Sequence, residues 1–144
     1  MANATYPTYK KVAISPGLDL VAGSTLKAAL VSLTSGTTNY TYSATDQFFS
    51  AIPAAAIVAP GIALTGKVAA VSGTSGVLTA SSIVWPSVSQ IAAQTGQAVI
   101  IYNDTGTPGT SQLIEFLDTE TGLPITPNGA NITMNFSSNV IGFA

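Results

Sequence analysis

A chain of 144 residues, 47% apolar and only 7% charged, is sized for one domain with its own core. Its net charge of -2 and mean hydropathy of +0.45 exclude intrinsic disorder. All four cations are lysines, and Arg, His and Cys are absent, which removes the guanidinium clamp, the usual general base and the soft metal ligands together.

Several partner classes fall away on the same grounds. Lys10, Lys11, Lys27 and Lys67 offer almost no source for the counterion release that drives nucleic-acid binding. Met1 to Lys11 lacks the pattern of a secretory signal, and no apolar run reaches the length of a membrane span. The longest, Ala54 to Ala59, is stopped by Pro60. The expectation is a soluble protein of cytoplasmic synthesis, without nucleic-acid or membrane partners and without cofactors.

In chain order, Tyr6-Pro7-Thr8-Tyr9 and Ser15-Pro16-Gly17 mark residues 1–24 as an N-terminal arm or irregular opening segment. Residues 25–144 form the predicted β-sandwich domain. Thr25 to Leu33 reads as a strand bounded by Ser35-Gly36. Thr45 to Pro53 is the helix candidate: Thr45 caps, Asp46 suits the positive helix end, Pro53 stops it, and Phe48, Phe49 and Ile52 face the core. This predicts one short helix near 45–52.

Beyond Pro60-Gly61, Ile62 to Val71 and Val77-Leu78-Thr79 read as two hairpin strands around Gly73 and Gly76. Ser82 to Val88 holds the single Trp, Trp85, beside Pro86, which marks a strand end, edge or bulge. Gln97 to Asn103 is nearly all apolar and therefore predicted to be a central strand covered on both faces. Gln112 to Asp118 is its antiparallel partner across the Asp104 to Ser111 loop. After the turn signals Thr121-Gly122-Leu123-Pro124 and Pro127-Asn128-Gly129, Ile132 to Phe136 alternates as a half-exposed strand. The fold class is all-β: a single-domain antiparallel β-sandwich or barrel.

Candidate chemistry is sparse. A Ser-Lys pair is formally available through Lys27 or Lys67, yet no serine stands out by spacing. Glu115, Asp118 and Glu120, with Asp104 across the hairpin, have the oxygen chemistry of a Ca²⁺ site, but their spacing matches no calcium loop. Solvation of strand ends and turn initiation account for them more simply. Trp85 with Tyr102 or Tyr40 can be drawn as a sugar-stacking platform or, for Trp85, as a core anchor. Asn39-Tyr40-Thr41 and Asn131-Ile132-Thr133 fit the N-glycosylation triplet, which means little in a Thr-rich chain without a secretion signal. No catalytic, cofactor or metal residue is assigned, and the chain reads as a non-enzyme. Thr/Ser-rich strands with few charges instead suit burial against another subunit.

An ordered series of segments then resembles a small structural-protein family of tailed bacteriophages. It comprises Met1-Ala2-Asn3-Ala4, Gly17-Leu18-Asp19-Leu20, Thr25 to Val31, Ala63-Leu64-Thr65-Gly66-Lys67-Val68, Ile83-Val84-Trp85-Pro86-Ser87-Val88, Ala98 to Thr107 and Gly122 to Gly129. Members of that family often carry a histidine near the position of Asp46 and more charge overall. The resemblance spans nearly the whole chain and transfers no functional residue. It implies a virion component, foremost a head decoration or cement protein on the capsid surface that bridges major capsid subunits, with a homo-oligomer, preferably a trimer at local threefold positions. A tail, collar or baseplate subunit and a host-glycan-binding module are the alternatives.

Overall fold

The computed structural model describes residues 3–9, 19–91, 93–136 and 139–143. Its strands are β1 (Ala4–Thr5), β2 (Leu26–Val31), β3 (Ile57–Ala63), β4 (Val68–Ser72), β5 (Ser75–Thr79), β6 (Ile83–Trp85), β7 (Ala98–Asn103), β8 (Gln112–Leu117), β9 (Ile132–Met134) and β10 (Ile141–Phe143). All pairings are antiparallel. The expected all-β fold, with a short helical piece inside the predicted window, is what the chain adopts.

The centre is a five-stranded sheet in the order β1-β8-β7-β2-β3, with β7 in the middle. A three-stranded sheet, β10-β5-β4, and a two-stranded one, β6-β9, flank it in a sandwich-like arrangement. The apolar run of β7 explains its place: Ala98 to Tyr102 are all buried, so both faces need cover. Strand alternation sends Ile100 and Tyr102 to the face where Tyr102 stacks on Phe49 at 4.1 Å, beside Phe116 with Tyr40 and Tyr42. An extra residue in β8, Ile114, lies between the Ile101–Glu115 and Tyr102–Leu113 pairs as a β-bulge.

Pro60 does not end a strand, contrary to the sequence reading, because β3 lies at the sheet edge and carries two register shifts against β2. An edge bulge is where a residue without an N–H is tolerated. The Pro60 carbonyl accepts a 2.9 Å hydrogen bond from the Trp85 indole, tying β6 to β3. Gly61 leaves room for Tyr102: any Cβ there would collide with the Tyr102 hydroxyl. The expected strand Ile62 to Val71 is therefore divided between β3 and β4.

The predicted helix contracts to a 3-10 turn, Phe49–Ala51, followed by a second at Ala54–Ala56. Phe48, not Thr45, is the N-cap residue, with no side-chain capping bond. The Phe48 backbone bridges to Gln112 and Phe49 N–H donates to Ser111, so tertiary pairing takes over the backbone groups a longer helix would use. Phe49 still packs on the core and Ile52 is buried. Ser87 and Ala93 adopt positive φ, at 46° and 57°.

Residues 3–9 pack into the body. β1 pairs with β8, Thr5 donates to Glu115 at 2.6 Å and to the Gly142 carbonyl at 3.1 Å, and Tyr6 and Tyr9 are fully buried. The Tyr6 and Tyr40 hydroxyls are 2.8 Å apart, and Tyr40 donates onward to Asp46 at 2.8 Å. Burial pushes both phenols up, so they remain neutral donors. Met1, Ala2, Lys10, Lys11, the Ser15-Pro16-Gly17 stretch and Leu18 of the predicted opening segment lie outside the described residues.

Trp85 is the largest fully buried side chain. Trp85→Ala is expected to cost about 3–5 kcal/mol, a large share of a typical domain stability of about 5–15 kcal/mol. Trp85→Phe keeps most of the packing and loses chiefly the bond to Pro60. Urea denaturation followed by circular dichroism checks both; a loss in Trp85→Ala no larger than in Trp85→Phe would contradict this packing role.

Candidate interaction surface

Among the described residues the charged side chains are held by local contacts rather than gathered into a site. Lys27 lies 2.6 Å from Asp104, across the β2–β7 register at the sheet end. Lys67 donates to the Ser24 carbonyl at 2.9 Å. Neither amine meets a serine hydroxyl, so the formal Ser-Lys pair is not assembled among the described residues.

The carboxylates are distributed along the β7–β8 hairpin. Asn103 faces Gln112 at one end and Val99 faces Leu117 at the other, so Asp104 and Asp118, each one residue further out, are separated by about six residues of strand, roughly 20 Å. Glu115 accepts from Thr5, and Glu120 accepts from Asn3 at 3.3 Å. Among the described residues no group of three or more His, Cys, Asp or Glu side chains is arranged to hold a metal ion. Asp104 takes the turn role expected of it, accepting from Gly106 N–H at 3.0 Å.

The aromatic candidates are also separated. Trp85 is buried against Pro60, Tyr102 stacks on Phe49, and Tyr40 belongs with Tyr6 and Phe116. Burial, with Asp104 nearby, pushes the Tyr102 phenol up to about 12. Three aromatics in three settings form no common stacking face. Asn131 accepts from Ser87 N–H at 3.0 Å, and Asn39 accepts from Ser32 at 3.0 Å.

Two apolar surfaces stand out in their place. The first is on the three-stranded sheet. All five residues of β4 are exposed, with Val71 at 80% and Val68 at 56%. A groove of about 300 Å³ runs beside them past Leu20, Val21, Val77 and Phe143. Asp19 borders it, its carboxyl held below the usual range by the Ala22 and then the Val21 N–H groups, so it stays ionised. The second surface is a groove of about 370 Å³ between β3 and the segment after β6, lined by Val58, Pro60, Ile62, Trp85, Val88 and Ile91. Ile91 is 61% exposed. Among the described residues the two grooves share no lining residue and the second has no ionisable one.

These surfaces escaped the sequence reading because Val68-Ala69-Ala70-Val71 looks like a core strand. The available signal was its small alanines, which supply little volume to bury. No family model matches the chain, and no curated protein matches it.

Asp104 carries a pH consequence. The Lys27 ammonium, and then the Gly106 N–H, hold its carboxyl below the ordinary aspartate value. The associated stability is complete above the unfolded value of about 3.9 and is lost as pH falls through the lower folded value. Asp104→Asn should flatten that part of the acid limb, while costing at most about 1 kcal/mol at neutral pH because the pair is near the surface. Denaturation midpoints across acid pH check this; an unchanged acid limb would contradict it.

Proposed function

We propose that this chain is a non-catalytic structural subunit of a tailed-phage particle, a head decoration protein that sits on the capsid exterior and holds major capsid subunits together. The observation that carries the reading is the pair of separate apolar grooves. The large apolar side chains exposed beside each groove, Val68 and Val71 at one and Ile91 at the other, offer area for burial against a neighbour, and a subunit that bridges neighbours needs two such sites. The ordered resemblance to phage structural proteins supplies the particle.

The mechanism is burial. Apolar area removed from water contributes about 25 cal/mol per Å², and a standard stable interface buries about 1,600 Å² in total. Repetition of the contact over a symmetric shell multiplies its effect through avidity. With so few charges to screen, retention on the particle should vary little with salt.

Two measurements test the reading. In purified particles the protein should approach the copy number of the major capsid protein on a stained gel; a copy number matching only tail or collar components would overturn the head assignment. Ile91→Asp, at an exposed position, should leave the melting temperature unchanged and weaken retention on particles about tenfold or more, equivalent to about 1.4 kcal/mol. Full retention would remove the β3–β6 groove from the contact.

A further inference from the structure

We propose that β4 is a self-pairing edge: two copies join antiparallel through Val68–Ser72 across a twofold axis at Ala70, merging their three-stranded sheets. This deepens the assembly reading above by naming a second copy of the chain as the lateral neighbour.

β4 is the least protected of the sheet edges. Exposed strand edges are templates for pairing, and proteins blunt them with proline, bulges, charge, short length or cover. Here β3 has Pro60, two register shifts and the Trp85 indole on its Pro60 carbonyl. β1 has two residues and is tied to β10 through Thr5 and Gly142. β6, β9 and β10 have three residues each. β4 has five exposed residues, with no proline and no charge. Its hairpin is tight: Gly73, at φ 61°, takes the first central position of the two-residue turn, where a type II′ turn favours glycine.

The electrostatics fit a second copy. Lys67, just before the strand, would be the natural charged guard of this edge, but its amine is turned to the Ser24 carbonyl. In the twofold register Val68 faces the partner's Ser72, Ala69 faces the partner's Val71, and Lys67 faces the partner's Gly73. Like charges are not opposed, and each valine meets a small residue.

The size of the contact sets its strength. A pairing of five-residue strands falls short of the roughly 1,200 Å² at the lower end of stable interfaces. Free subunits are therefore expected to pair only at raised concentration. Neighbours held on a common lattice experience effective concentrations of about millimolar, at which the same contact closes. A twofold contact of this kind is compatible with a separate threefold one.

The chain has no cysteine, so one introduced thiol reports the register. Directly opposed residues in antiparallel strands have Cα atoms about 4.5–5.5 Å apart, within the range of about 4.4–6.8 Å that a disulfide spans. Purified Ala70→Cys should oxidise to a covalent dimer about tenfold faster than Thr107→Cys, in the exposed β7–β8 loop. In sedimentation, Val71→Lys should raise the concentration for dimerisation about tenfold or more without changing the melting temperature, because a charge now lies on the paired edge. Equal crosslinking rates, or wild-type association by Val71→Lys, would overturn the proposal. So would free subunits that never self-associate while β4 becomes protected only in the particle, the result expected if another virion protein supplies the strand. These readings use isolated subunits, so their failure is distinct from failure of the particle assignment.

Discussion

Strand β7 has two faces to cover and no charge to expose, and the rest of the fold follows from that requirement. Ala98 to Tyr102 are all buried, and their neighbours in β2 and β8 are nearly so. A sheet covered on one side only would leave half of those side chains wet, at a cost of about 1.5–3 kcal/mol for each large one. Tyr40, Tyr42 and Phe49 therefore pack on one face. The outer strands add Trp85, Met134 and Ile141 to the same continuous core.

With few charges in the chain, side-chain hydrogen bonds rather than ion pairs join the layers. The Trp85 indole reaches the Pro60 carbonyl, the Tyr6–Tyr40–Asp46 series joins the N-terminal residues to the loop over the sheet, and Thr5 links β8 to β10. Gln94, also buried, donates to the carbonyls of Thr38 and Ala55. Such bonds satisfy polar groups that would be costly if buried alone. The same shortage of charge leaves the outer strands without the usual guards, so the composition that builds the core also exposes β4 and the Ile91 groove.

The strands with the strongest pattern were legible before the structure. The apolar run Ala98 to Tyr102 inside Gln97 to Asn103 identified the central strand, and the Asp104 to Ser111 loop identified its partner. Around Pro60 and Gly61 the sequence misleads, because local preference says break while an edge bulge accommodates both residues. The Thr45 to Ile52 helix shortened because Phe48 and Phe49 found partners in the β8 region. The short strands β1 and β10 carry too few residues for any periodicity to show. The exposed apolar surfaces were hidden for a different reason: apart from the small alanines of β4, an apolar strand that its own fold covers and one that it leaves exposed look much the same in sequence.

Hydrogen exchange, compared between the dilute subunit and the assembled particle, tests the central claim that this protein acts by burying its outer surfaces. The account predicts slow exchange in β7 and β8 in both states, and a change from fast to slow in β4 and around Ile91 upon assembly. Exchange in β4 and at Ile91 that is the same in both states would contradict it.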